Sequence, residues 1–245
     1  MLKEKLKNIV RPIWSKTPWW LHKKIRLLEE KNNELDFLFK NRYLEKVQGV
    51  VHVGANIGQE RFYYRLLGLK VLWIEPIPET FKKLCENISE IHNQEAINNL
   101  VTDSNNKSYD FHITDNEGLS SSLFELKLHK KMWPNVKKSK TISLKSKTLE
   151  TLFDENSIDI DNYQALVIDT QGSELLVLKG CKALIKKFKY IKSEAADFEA
   201  YENCCTLSDI VNFLKRNEFE EVNRYATGEN DKIGQYYDLL FKRKD

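Results

Sequence analysis

The sequence lacks a membrane-length apolar run. No stretch of its 245 residues approaches the roughly 18–20 apolar residues that cross a bilayer, which argues against an integral helical membrane protein. It also lacks an uncharged apolar core near its start: lysines are spread through MLKEKLKNIVRPIW, so a cleaved secretory signal is not expected. Cysteine is sparse. Cys85, Cys181, Cys204 and Cys205 form no C-x-x-C ladder, so neither a disulfide framework nor a zinc site follows, and a reducing cytoplasm is the expected compartment. Internal repeats and low-complexity tracts are absent. Net charge is only +3, which excludes a polybasic nucleic-acid coat. What is present can fill a core: hydrophobic residues are 41% and charged residues 31%, which excludes full disorder. The length fits one domain with an appendage, or two small domains.

Charge is unevenly placed. Residues 1–26 hold eight Lys and Arg against one acid, Glu4, a local +7 that leaves −4 for the remainder. Leu2, Leu6, Ile9, Val10 and Ile13 recur near helical spacing, and Trp14, Trp19 and Trp20 follow. Such a segment can lie on an anionic membrane surface, or pack on the core or a partner with its lysines outward. Helix-like patterning continues over residues 27–45. The expected organisation is therefore a basic helical extension, 1–45, and one domain, 46–245.

From Gly49 the pattern becomes strands alternating with helices. Strands are expected at Gly49–Val53, Lys70–Ile74, Ala96–Thr102, Tyr109–Thr114, Ala165–Ile168 and Tyr190–Lys192. Helices are expected at Gln59–Leu67, Pro78–Ile91, Leu149–Phe153, Ser173–Leu184 and Leu207–Arg216. Parallel crossovers and a three-layer α/β sheet follow. Two closing strands, Glu220–Tyr225 and Tyr236–Phe241, have no helix between them and imply an antiparallel hairpin at one edge.

The strongest local signal is VVHVGANIGQE, residues 50–60. An apolar strand ends in Gly54, Asn56 and Gly58, and a helix begins at once. Glycines there let a ligand approach the backbone, and a helix N-terminus offers free N–H groups. The second strand ends in Glu75, positioned to reach a ribose diol. The pattern is not G-x-G-x-x-G, and its shorter turn suits a nucleoside without a pyrophosphate better than a dinucleotide. A second signal is ALVIDTQGSELLVLKGC, residues 165–181. It delivers Asp169 to the end of a buried strand, where a carboxylate could serve as general base, metal ligand or anchor for an amine. Ser173 reads as a helix cap, with Glu174 favoured in the first turn. The next strand brings Glu194 to the same rim. Two carboxylates there could share base and orienting roles or hold a divalent cation, but no third ligand is evident.

VHVGANIGQE (51–60), WIEPIP (73–78), SSSLFE (120–125), VIDTQGSELLVLKG (167–180) and IKSEAA (191–196) together resemble the FkbM-type family of class I S-adenosylmethionine-dependent methyltransferases. The resemblance runs from about residue 49 to the C-terminus. It implies a Rossmann-like seven-stranded sheet, mostly parallel with an antiparallel last strand. It implies S-adenosylmethionine held by Gly54, Asn56 and Gly58, with Glu75 on the ribose and Asp103 near the adenine. His52 stands where many relatives carry an acid and would lie near the methionine end. Ser120–Ser122 would lie beside the cofactor, with Ser121 toward it and Ser122 toward the acceptor, and Gln171 and Glu174 would also face the acceptor. Asp169 and Glu194 are the candidates for orientation and proton removal, Asp169 also touching the cofactor. Family members often O-methylate sugars or other hydroxylated metabolites.

Residues 127–147 hold eight lysines and no acid. If this stretch overhangs the site, Lys137 and Lys138 would draw in a phosphorylated, nucleotide-linked or uronic acceptor; otherwise it is a solvated loop. His112 and His129 read as structural, and Cys204–Cys205 as packing a loop. The expected function is O-methyl transfer to a carbohydrate or similar small polar acceptor. Two alternatives stand beside it. One is a non-catalytic or membrane-docked module on the same fold. The other is a nucleic-acid methyltransferase, disfavoured by the missing N/D-P-P-Y/F-type motif and by the single aromatic, Trp133, among these lysines. No nucleic-acid partner and no resident metal are expected. The expected location is cytoplasmic, with residues 1–26 as a contact to the inner membrane surface or a partner.

Overall fold

The structure is a computed structural model that describes residue 37, residues 39–230 and residues 232–244. The basic segment 1–26 and most of the helix expected over 27–45 lie outside the described residues. Leu44–Asp245 forms one unit.

Gly49–Val53 forms β1, buried along its whole length. A strand buried on both faces needs a layer on each side. Val51 and Val53 point into one layer, with Leu72, Ile74, Leu166 and Ile168. His52 points the other way, stacked on Trp73 at 4.9 Å, with Tyr64 beside both. That second layer holds α1 (Arg61–Leu66) and α2 (Pro78–Ile88), the latter with Pro at its first turn. The first layer holds α4 (Leu149–Glu155), α5 (Glu174–Gly180) and α6 (Leu207–Arg216), which contribute Leu152, Val177 and Ile210 to the shared core. A sixth helix, the short α3 (His129–Met132), carries His129.

The strands β2 (Lys70–Glu75), β3 (Gln94–Asn98), β7 (Ala165–Ile168), β8 (Tyr190–Ala196), β9 (Phe219–Asn230) and β10 (Gly234–Arg243) complete a seven-stranded sheet in the order β3-β2-β1-β7-β8-β10-β9. Pairings from β3 to β8 are parallel, and β10 runs antiparallel between β8 and β9. The chain winds outward from β1 through β2 to β3, then returns to β7 on the other flank. Strand order therefore reverses between β1 and β7, and ligands of such sheets bind at the carboxyl ends beside that point.

Three sequence-based expectations differ from the observed fold. The third strand, expected over Ala96–Thr102, stops at Asn98, whose side-chain amide donates to the carbonyls of Glu75 and Pro76. Leu100–Val101 forms a separate strand, β4, in a second sheet with β6 (Lys138–Lys147) and β5 (Ser108–Thr114), in the order β4-β6-β5. Half of the lysine-rich stretch, expected as a loop, is thus strand β6. The helix expected over Ser173–Leu184 ends at Gly180, where a Cβ would come within 2.1 Å of the Thr102 carbonyl oxygen, and a 3-10 turn follows at Lys182–Lys187.

Candidate active site

A cleft of about 250 Å³ opens over the carboxyl ends of β1, β2 and β7. The turn after β1 builds its floor. Gly54 has φ +84°, and a Cβ there would lie 1.8 Å from the Asp169 carbonyl oxygen. Glycine at this position lets the turns after β1 and β7 touch, a packing role beside the ligand approach that the motif suggests. Gly58, at φ +72°, serves packing too: its Cβ would meet Leu84 of α2 at 2.8 Å. Gly58 does not line the cleft, whereas Gly54 and Asn56 do. Glu75 closes the second side. Its carboxylate accepts from the backbone N–H of Asn56 at 2.9 Å and of Ile77 at 3.0 Å. Burial nevertheless pushes its pKa up to about 7.

His52 lines the cleft through the layer behind β1, its Nδ1 3.1 Å from the Tyr64 hydroxyl. Burial, then the nearby Lys192 charge, lower its pKa to about 3, so the ring is neutral. Ser121 also lines the cleft, and its Oγ accepts from the Thr114 N–H. Glu60, at the start of α1, is a lining carboxyl that the motif pattern does not single out; burial raises its pKa. Asn99 lines the cleft with a buried Oδ1 that has no hydrogen-bond partner.

The third side is the turn after β7. Gln171 and Gly172 both take positive φ, +53° and +104°. Glu174 holds this turn by accepting from the N–H groups of Thr170 and Gly172 at 2.9–3.1 Å. Capping therefore falls to Glu174, while the Ser173 hydroxyl donates to the Thr170 carbonyl and makes no cap bond. Ser122 braces the same turn, donating to the Gln171 carbonyl at 2.6 Å. Cys205 packs there as well, its thiol donating to the Gly172 carbonyl.

The result is a fixed carboxyl pair. The Gln171 side-chain N–H₂ donates to Asp169 at 2.7 Å and to Glu194 at 3.2 Å, and the Tyr201 hydroxyl donates to the Gln171 side-chain Oε1 at 2.7 Å. Asp169 is open to solvent through the cleft and ringed by protein elsewhere. Burial, reinforced by Glu174, Asp238 and Glu60 and opposed by the Gln171 bond, pushes its pKa up to about 7. Water in the cleft moderates this rise, and a ligand that displaces it would sharpen it. Burial and then the Asp169 charge hold the Glu194 carboxyl well above the usual range. Lys192 is the cation of this region, and it is engaged with Asp238 at 3.2 Å. Among the described residues, no group of three His, Cys, Asp or Glu is placed to hold a metal ion.

A second cavity, about 210 Å³, meets the cleft at Leu119 and Gln171 and reaches Glu194. His129, Trp133 and Tyr236 form much of its wall. His129, which reads as structural in the sequence, is brought here by α3 folding onto the β9–β10 hairpin, a contact without a local sequence signal.

Some expected site residues fall elsewhere. Asp103 does not line the cleft; its carboxylate accepts from Ser104, and the residues on that wall are Asn99, Leu100 and Val101. The third strand ends too early to turn Asp103 inward. Ser122 and Glu174 support the Gln171 turn and line neither the cleft nor the second cavity. Lys137 and Lys138 line neither as well. Four of the eight lysines meet acids from other segments: Lys127 with Glu199, Lys138 with Glu125 at 2.6 Å, Lys140 with Glu79 at 2.7 Å, and Lys147 with Glu155.

A parallel sheet with one antiparallel strand, and a cleft at its switch point, define a class I methyltransferase fold. The family model described as "Methyltransferase FkbM domain" matches residues 52–225, and the chain belongs to this family. It is a methyltransferase, and its methyl donor is S-adenosylmethionine. The chain is 26% identical over 194 residues to the 2-O-methyltransferase NoeI of Sinorhizobium fredii, across 76% of this chain and 78% of that protein. Among solved structures, the METTL16 methyltransferase domain matches with a TM-score of 0.50 at 12% identity, over 86% of this chain and 68% of that one. TrmK of M. capricolum, solved with S-adenosylhomocysteine, has a TM-score of 0.49 at 10% identity, over 84% and 69%. At 12% identity the METTL16 domain speaks to fold alone.

Proposed function

We propose that this chain moves the methyl group of S-adenosylmethionine to a hydroxyl of a carbohydrate or similar small polar acceptor. The observation that carries this reading is the pair of cavities meeting at one amide-bridged carboxyl pair, with Asp169 on one side and Glu194 on the other. The curated relative, a 2-O-methyltransferase, supports oxygen as the accepting atom.

The cleft residues fit the donor. Its acidic lining suits a ligand carrying a sulfonium and an ammonium group, since a cation favours the ionised form of nearby carboxyls. Glu75 keeps lone pairs for ribose hydroxyls beyond the two N–H bonds it accepts. The orphaned Asn99 Oδ1 awaits a donor such as an exocyclic amine. Once bound, S-adenosylmethionine supplies a methyl group for in-line displacement by the acceptor oxygen, leaving S-adenosylhomocysteine. Asp169 and Glu194 orient the hydroxyl and hold the proton it releases as the new C–O bond forms. Gln171, fixed by Tyr201, keeps the two carboxyls in register. An anionic acceptor gains no support from Lys137 and Lys138, which stand outside both cavities.

Calorimetric titration with S-adenosylmethionine, followed by a mass-shift screen of sugar acceptors, tests the reading. Binding with product 14 mass units (about one CH₂) heavier is the expected result. Affinity for the donor weaker than about millimolar would refute it.

A further inference from the structure

We infer that the second cavity is the acceptor subsite, and that it takes one uncharged, hydroxylated ring set against Trp133, with Gly228 deciding how deep that ring can sit. This rests on the methyl-transfer reading and adds to it where the acceptor binds, what charge it carries and which residues select it.

Size comes first. At about 210 Å³ the cavity is comparable to the donor cleft and adjoins it at the carboxyl pair, which leaves room for a small acceptor beside the donor. Charge comes next. Among the described residues no lysine or arginine lines it, and one carboxyl, Glu194, does. An anionic ring would be desolvated here with no lysine or arginine among the described lining residues to offset it, which is unfavourable. His129 supplies no such cation. Its Nδ1 is 2.8 Å from the Tyr236 hydroxyl and its Nε2 3.0 Å from the Ser120 Oγ. Burial lowers its pKa to about 4, so the ring is neutral near pH 7.

Shape and polarity complete the argument. Trp133 stands at the end of α3, 4.6 Å from the His129 ring and 5.3 Å from Tyr236, with 39% of its surface exposed. It gives an apolar wall. Asn116, Ser120, Gln171 and Thr227 give hydrogen-bonding groups on the remaining sides. An apolar wall with convergent polar groups matches a ring that is apolar on its C–H face and hydroxylated at its edge. Gly228 lies inside strand β9, where φ does not demand glycine, yet a Cβ would come within 3.3 Å of the Trp133 ring. Glycine here keeps space for Trp133 and whatever lies against it.

The test uses the full chain and measures two things separately: S-adenosylmethionine affinity by calorimetry, and transfer of tritiated methyl to methyl glycosides of glucose, galactose and mannose, to glucose 6-phosphate and glucuronate, and to glucosamine. Neutral glycosides should be methylated, with a KM unchanged between 0.01 and 0.15 M salt, a range over which the Debye length falls from about 30 to 8 Å. Trp133→Ala should raise that KM about tenfold or more, with donor affinity within twofold, and Trp133→Phe should recover part of the loss. Gly228→Val should raise KM in the same way. Donor binding with transfer only to charged sugars, with no transfer to the neutral panel, or with a KM indifferent to Trp133→Ala, overturns the inference and leaves methyl-donor binding standing. Absence of donor binding overturns the methyl-transfer reading, and this inference with it.

Discussion

The donor cleft and the second cavity are built in opposite ways. The cleft is formed largely by strand ends and the turns that follow them: Gly54–Asn56 after β1, Glu75 after β2, Asp169–Gln171 after β7. Backbone geometry dictates each position, and each leaves a local mark in the sequence. The second cavity borrows from segments far apart: Asn116–Ser120, α3 with Trp133, Glu194 on β8, and Thr227, Gly228 and Tyr236 on the closing hairpin. Of those named, Asn116 serves its own turn, accepting from the Ser120 N–H and the Thr114 hydroxyl. On the proposed reading, the side fixed by backbone holds the methyl donor and the side built from packed side chains holds the acceptor.

The boundary between the two regions is the first place to break the comparison. Asp169→Asn and Glu194→Gln should each lower kcat, by roughly 100- to 10,000-fold where the residue is the general base. Donor affinity should stay within a few-fold, as seen by calorimetry. Full rate in both variants would assign proton removal elsewhere.

Gly54→Ala attacks the backbone that defines the cleft. It places a Cβ 1.8 Å from the Asp169 carbonyl at φ +84°. Overpacking and the left-handed conformation together should cost about 2–5 kcal/mol. A thermal melt should show Tm lower by roughly 5–15 °C, with donor binding weakened. Gly228→Ala, in the second region, should leave Tm much closer to wild type.

Glu75→Gln sharpens the donor side alone. It retains one acceptor oxygen and loses the charge, so donor affinity should fall roughly 10- to 150-fold, the equivalent of about 1.5–3 kcal/mol. The amide is preferable to Glu75→Ala because it orphans only one of the N–H groups of Asn56 and Ile77, where alanine orphans both.

A smaller effect follows from the raised carboxyls. Asp169 and Glu75 rise from 3.8 and 4.5 to about 7, so the folded chain holds protons between those limits that the unfolded chain has lost. Their contribution to stability is therefore present below about pH 4 and declines as pH climbs to about 7. Melts of the ligand-free protein should show this decline, reduced in Asp169→Asn. Ribose hydroxyls donating to Glu75 would favour its ionised form, so donor affinity should rise with pH through about 7, with proton release seen as a buffer-dependent binding enthalpy.

The smallest expected effect is at Lys137 and Lys138. Lys138 pairs with Glu125, both well exposed, and such pairs contribute about 0–1 kcal/mol. Replacing both lysines with Gln should leave acceptor KM and its salt response unchanged. A raised KM with a flattened salt response would restore an anionic acceptor.

Much of the donor side is legible in the amino-acid sequence. Val50–Val53 ending in Gly54, and Ala165–Ile168 ending in Asp169, are strand-and-turn signals that local chemistry enforces. Where sequence and structure part, the cause is tertiary in one case and local in another. Asp103 lies close enough to the third strand in sequence to be expected in the cleft, but Asn98 ends that strand by bonding the Glu75 carbonyl, and the wall falls to Asn99, Leu100 and Val101. Ser173 has the chemistry of a cap, but Glu174 reaches the free N–H groups of its own turn.

By itself the sequence determined the α/β alternation, the antiparallel closing hairpin, the glycine turn after β1 and the strand-end acids, because hydrophobic periodicity and turn chemistry act within a few residues. Only the tertiary structure decided that Lys138–Lys147 is a strand, that its lysines meet acids from other segments, and that His129 and Trp133 form a wall with Tyr236 beside Glu194. Those placements depend on contacts between residues about a hundred positions apart, such as the bond between His129 and Tyr236, and side-chain packing at that range leaves no periodic trace in the chain.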